Sequence, residues 1–257
     1  TGAKVTLSTI LGEDELKDFV IEGLKESGVE LDAVIDSSRP TINKNAIIAG
    51  GYRLIKIDTL DNRPISEEIV KKLAISIENT SADGVVFSDF RHGLFNRMSV
   101  PTFTNAIPSG LFRVADSQVA SRWGNITEFK DFDLITPNER ESRFALGDQD
   151  STVQHLATEL YKVSQYKNII LKLGDKGIYG FTPGKGINKS AFSIGSFADK
   201  VVDPVGSGDA LLAYSTLVML QTGSLVSASI IGSMAAACEC ECDGNIPISP
   251  KDVFAKI

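Results

Sequence analysis

Four short runs dominated by apolar residues, 84–88, 112–116, 134–136 and 168–173, constrain this chain more than any other feature. Each breaks off into polar residues, and segments with helical periodicity occur before, between and after them. Short apolar strands alternating with helices predict a mostly parallel sheet covered on both faces, a three-layer α/β architecture. In such sheets ligands sit beyond the carboxyl ends of the strands. Asp89, Asn138, Gly174 and the Gly206–Asp209 turn all follow predicted strands directly, so they are expected along one rim.

The rest of the chain is read around that sheet. Residues 5–11 are strand-like, and 13–26 place Leu16, Phe19, Val20 and Leu24 on one helical face before Gly28. Residues 41–49 and 52–58 flank Gly50 and Gly51 and read as a hairpin. That hairpin interrupts the β/α alternation, so 39–58 are expected to form a small β lid. Ser66 is a helix N-cap with Glu67 and Glu68 in the first turn and Ile69, Leu73 and Ile77 along one face. Residues 151–165 are helical, 177–181 and 191–194 are added edge strands, and two apolar helices, 209–222 and 225–242, close the chain. With no repeat and no interdomain linker, residues 1–257 are read as one domain. The chain opens at Thr1 with no initiator Met and reads as a fragment whose beginning lies elsewhere.

A net charge of −7 with no basic block argues against a nucleic-acid partner. No apolar run is long enough for a bilayer and no signal-peptide pattern is present, so no membrane partner and a cytoplasmic location are expected. Cys238, Cys240 and Cys242 alternate with acids, but a structural zinc site usually wants four ligands. They read better as small, partly buried residues than as a metal site or a disulfide framework.

The chemistry concentrates in Val201 to Leu212. Gly206 and Gly208 let the backbone turn and approach a ligand, and their N–H groups with that of Asp209 open a helix, a natural seat for an anion. Asp209 would take the proton of a hydroxyl attacking a phosphoryl group while the N–H groups, Ser207 included, steady the charge. The plainer reading is a glycine turn with a capping Asp. Asn138 and Glu141 have capping-box spacing, and equally suit holding hydrated Mg²⁺ and nucleotide phosphates. Gly174 and Gly177 would let a nucleobase or ribose lie against the backbone, or simply form a tight turn. Lys172, unusual in an apolar strand, is expected to reach the rim. Asp89 is a sugar-side candidate or a turn former, and Lys44 on the lid faces an anionic ligand or water. There is no Gly-x-x-x-x-Gly-Lys loop, no protein-kinase catalytic loop, and no third small residue for a dinucleotide fingerprint, since Leu211 stands there.

Taken in order along the chain, Asn138-Glu139-Arg140-Glu141, Leu173-Gly174-Asp175-Lys176-Gly177 and Asp203-Pro204-Val205-Gly206-Ser207-Gly208-Asp209 resemble the motifs of the PfkB (ribokinase-like) sugar kinases. Arg39-Pro40-Thr41-Ile42-Asn43-Lys44, the return strand ending at Asp58, and Ser88-Asp89-Phe90-Arg91-His92-Gly93 resemble the heptose-7-phosphate kinases within that family. The resemblance implies ATP-dependent phosphorylation of the anomeric hydroxyl of a seven-carbon sugar phosphate, often in a chain fused to a nucleotidyltransferase. It implies a monovalent cation such as K⁺ at Asp203 and Val205, and a sugar side that includes Lys44, Asp58 and Asp89. The same resemblance puts a first strand and a sugar-binding Gly-Gly segment before Thr1. Asn45 and His92 depart from the Arg and Lys of the resembled motifs, which leaves a kinase for another sugar or sugar acid open. A non-catalytic nucleotide- or sugar-binding domain regulating a fused partner is the alternative from a different class. Ile42, Ile47, Ile48 and Ile55 on the lid suggest pairing of two chains into a homodimer.

Overall fold

The computed structural model describes all residues except 51, 120–124, 185–189 and 245, with the side chain of Arg53 also outside the description. The chain divides into two compact units, residues 2–81 with 91–109, and residues 82–90 with 110–257.

The first unit begins with a βαβ element: β1 (Thr6–Leu11), α1 (Glu15–Glu26) and β2 (Glu30–Ile35), with β1 and β2 parallel. Asp14 caps α1 by accepting from Lys17 N at 3.3 Å. The periodicity of α1 is real, yet none of its residues is buried and Phe19 is 76% exposed. The expected apolar face therefore exists without burial. Strands β3 (Asn43–Ala49) and β4 (Tyr52–Thr59) form the expected antiparallel hairpin, with Gly50 at φ 57° and a register shift between Ile47 and Ile48. Gly51, the other half of the expected turn, lies outside the described residues. Helices α2 (Glu67–Glu78) and α3 (Ser99–Ala106) pack together, and Ile69, Leu73, Val100 and Phe103 on them are buried. Ser66 caps α2 as expected, accepting from Ile69 N.

The second unit holds a six-stranded sheet of β5 (Gly84–Asp89), β6 (Phe112–Ser117), β7 (Leu134–Ile135), β8 (Ile169–Lys172), β9 (Ile178–Thr182) and β10 (Ser190–Ile194). β5 to β8 are parallel neighbours, whereas β9 and β10 add antiparallel at the β8 side. Its helices are α4 (Glu139–Leu146), α5 (Val153–Ser164), α6 (Ser207–Thr222), α7 (Leu225–Cys240) and the short α8 (Pro250–Phe254). Strand alternation sorts the core. Val114, Leu134 and Ile170 pack on Leu211, Leu212 and Met219 of α6 and on Leu225 and Ala228 of α7. Ala115, Ile135, Ile169 and Leu171 alternate with them and are equally buried, so the other face is covered too. Phe87 of β5 meets Phe129 and Phe132 at centroid distances of 6.1 and 5.6 Å. Among the described residues no helix is long and apolar enough to cross a membrane.

Candidate active site

The same alternation that fills the core delivers polar side chains to the carboxyl ends of β6, β7 and β8. Counting by twos from Val114, Leu134 and Ile170 leads to Asp116, Thr136 and Lys172, all toward the α6 face. Asp116 Oδ1 accepts from Thr136 Oγ1 at 2.8 Å and from Lys172 Nζ at 3.0 Å. Burial works against the ammonium's charge, but the carboxylates of Asp116, Glu141 and Asp209 outweigh it and raise the pKa of Lys172 above the ordinary lysine value.

Asn138 follows β7 and bridges to Lys172 in parallel register. It is the N-cap of α4, and the box with Glu141 is complete. Asn138 Oδ1 accepts from Glu141 N at 2.8 Å, and Glu141 Oε2 accepts from Asn138 N at 2.6 Å. Burial raises the Glu141 pKa, with the nearby Lys172 ammonium opposing it. The capping role is thus realised, and it uses only Oε2 of the two carboxylate oxygens in that contact.

The Asp203–Asp209 turn leads into α6. Asp203 Oδ1 accepts from Val205 N at 3.1 Å, while the N–H groups of Val202 and Asp203 both donate to Cys240 O. Gly206 is the N-cap at φ 89°, a left-handed conformation that favours glycine, and no side chain caps the helix. Ser207 Oγ donates to Pro204 O at 2.8 Å. At Gly208 a Cβ would stand 3.2 Å from Lys172 Nζ, so the ammonium comes close to this turn. Asp209 is exposed in the first turn. Behind it, Glu239 of α7 is 2% exposed; burial and the charges of Asp209 and Asp203 raise its pKa.

A cavity of about 920 Å³ opens beside Asn138 and Lys172, lined also by Arg140, Arg143 and Gly174. Gly174, at φ 64°, has open space where a side chain would stand. Gly177, at φ 85°, instead makes room for the backbone of Ile194 and Gly195. The two glycines therefore shape the turn for different reasons.

The sugar-side candidates fall in two places. Asp89 is buried and accepts from Ser117 Oγ at 3.1 Å. It pairs in register with Ser117, on the opposite face from Asp116 and Lys172. On the hairpin, Lys44 stands opposite Asp58 in register, and Lys56 Nζ lies 3.5 Å from Asp58 Oδ2. His92, whose Nδ1 is 2.9 Å from Asn62 Oδ1, has a pKa lowered by burial and by Lys44, with Asp58 opposing.

Asp116 and Thr136 are the site residues that motif reading overlooked. Their signal was the position already used for Asp89, a polar residue where an apolar strand ends. The three cysteines are free thiols. Cys238 is buried, its Sγ 3.4 Å from Asp252 O, and no cluster of three metal-binding side chains occurs among the described residues.

Solved structures share this fold. Phosphofructokinase-2 from Escherichia coli, in a complex with potassium, matches with a TM-score of 0.82 at 17% identity, covering 99% of this chain and 81% of its own. Ribokinase from Thermotoga maritima matches at 0.73 and 22%, over 98% of this chain and 80% of its own. The fold is ribokinase-like α/β, with a largely parallel central sheet and helices on both sides. The pfkB family carbohydrate kinase model matches residues 1–252. The chain belongs to the PfkB family and is a carbohydrate kinase. Curated relatives include the bifunctional protein HldE of Desulfatibacillum aliphaticivorans, 24% identical over 91% of this chain and 48% of the relative. That of Helicobacter pylori is 27% identical over 91% of this chain and 50% of the relative. The chain spans about half the length of these relatives.

Proposed function

We propose that this kinase transfers the γ-phosphoryl group of ATP to a hydroxyl of a sugar or sugar phosphate, with the anomeric hydroxyl of a heptose 7-phosphate as the first candidate. The observation that carries the reading is the exposed Asp209 in the first turn of α6, directly after the left-handed Gly206. Asp209 takes the hydroxyl proton as the sugar oxygen attacks. The N–H groups of Gly206, Ser207 and Gly208 and the positive end of α6 steady the charge of the group in flight. Asn138, Lys172 and Gly174 line the nucleotide side, and Gly177 holds its turn in shape. Asp58, Asp89 and Lys44 serve the sugar side.

The donor set suits Mg²⁺, which keeps most of its waters and needs few carboxylates. Glu141 would hold it through Oε1, with Oε2 kept in the cap. When bound, Mg²⁺ neutralises nucleotide phosphate charge. Asp203 and Val205 would hold a monovalent cation, K⁺, on a turn already pinned to Cys240. The lid excludes water when closed, which limits ATP hydrolysis. Pairing of two chains through the lid, and fusion to a nucleotidyltransferase, belong to the same reading; the relatives' name, bifunctional protein, supports the fusion.

The test is an ATP-consumption assay, with Mg²⁺ and K⁺ present, against heptose 7-phosphate, fructose 6-phosphate and ribose. Asp209→Asn should lower turnover by about 10³-fold or more while nucleotide binding stays within a few-fold. Wild-type turnover by that variant would remove Asp209 from the base role.

A further inference from the structure

Lys172 sits between two features that together ask for an anion. On one side Asp116 Oδ1 holds its ammonium at 3.0 Å and is itself fixed by Thr136, which is fully buried. The Lys172 and Asp116 side chains are only 16% and 10% exposed. On the other side stands the first turn of α6, where a Cβ on Gly208 would be 3.2 Å from Nζ. Strand register rather than a flexible loop fixes the position, because Asp116, Thr136 and Lys172 end three adjacent parallel strands on one face.

Stability alone explains this arrangement poorly. A buried ion pair contributes little net stability, since desolvation offsets much of the attraction. The start of a helix carries partial positive charge, so an ammonium directed at it is repelled. Asp209 offsets part of that repulsion, but it is exposed and its charge is shared with solvent. A phosphoryl group docked against both the ammonium and the helix end would satisfy both, and Gly208 sets no side chain against the ammonium.

We propose that Lys172 is a catalytic residue that donates a hydrogen bond to the phosphoryl group in transfer, and that Asp116 is the positioning residue that aims it. The inference rests on the kinase reading above. The phosphorus–oxygen bond to the leaving nucleotide breaks and the bond to the sugar oxygen forms. The hydroxyl proton goes to Asp209, and Lys172 stays protonated throughout.

The decisive measurement is independent of the sugar: calorimetric affinity for ADP and for a non-hydrolysable ATP analogue, using protein expressed from the complete gene. Lys172→Met should weaken the ATP analogue by about tenfold or more and ADP by less than about threefold, and should lower turnover by about 10²–10³-fold. Asp116→Asn should lower turnover by about tenfold with ADP affinity unchanged, an effect a purely structural ion pair would not produce. Because Lys172→Met leaves Asp116 without its ammonium, the double variant Asp116→Asn/Lys172→Met serves if the single one does not fold, and should match it in nucleotide discrimination. Folded variants that keep the wild-type ratio of the two affinities and wild-type turnover would overturn the proposal. Failure of the Asp209 reading would appear separately, as undiminished turnover in Asp209→Asn with the affinity ratio still reporting on Lys172.

Discussion

Two of the chain's charged clusters are held in opposite ways. Asp116, Glu141 and Lys172 are largely withdrawn from water and fixed by strand register and a helix cap. Lys44, Lys56 and Asp58 stand on a two-stranded hairpin, where the Lys56 and Asp58 side chains are 55% and 33% exposed. A solvent-exposed pair of this kind contributes little to stability and adjusts readily. A buried cluster keeps its geometry before the ligand arrives, which suits charge development common to every turnover. On the function proposed above, the exposed cluster would serve discrimination among acceptors, where side chains must settle around one particular shape.

The same contrast extends to the apolar residues, and it can be broken by mutation. Ile170 is fully buried between β7 and β9, whereas Ile55 on the hairpin is 51% exposed. Ile170→Ala should cost about 2–5 kcal/mol of stability. Ile55→Ala should cost less than about 0.5 kcal/mol in dilute monomer, by denaturant titration. An Ile55 cost that grows with protein concentration would show that a second chain covers the hairpin.

A smaller effect sharpens the comparison of the charged clusters. Lys56→Met should raise KM for a phosphorylated acceptor by a few-fold with kcat unchanged, the pattern of lost uniform binding. A fall in kcat without a change in KM would instead draw the hairpin into the transition state.

The smallest effect concerns Glu239, behind the Asp203–Asp209 turn. Its pKa is raised in the folded chain, so the folded state holds the proton to higher pH than the unfolded state does. Its contribution to stability is therefore intact below the ordinary glutamate value and is lost as pH rises through the raised one. Glu239→Gln should match the wild-type melting temperature near pH 4 and exceed it increasingly toward pH 8. A gap that does not change with pH would mean that Glu239 does not titrate differently on folding.

Much of the fold was legible because local rules and tertiary demands agreed. Ser66 and Asn138 are N-caps, Glu141 completes its box, and 43–59 form a hairpin about Gly50. Three of the strands and α-helices escaped notice: β2, α3 and the short α8, which follows the two helices read as closing the chain. β2 (Glu30–Ile35) spaces two acids among its apolar residues, so its alternation is weak. α3 begins without a side-chain cap and carries Pro101 in its first turn, where the ring is tolerated although it usually signals a break. The α1 face was legible as a pattern, yet burial did not follow, because periodicity states which side is apolar and not what lies against it.

By itself the sequence determined most of the strands and helices in their order, the hairpin, the Gly206–Asp209 turn and the family likeness, since each depends on residues near one another along the chain. Only the tertiary structure decided that Lys172 meets Asp116, 56 residues away, and that its ammonium comes close to Gly208. It also decided that Asp89 falls on the other face of the sheet. Those outcomes depend on which strands become neighbours and in what register. A shift of one residue would turn each of these side chains to the opposite face.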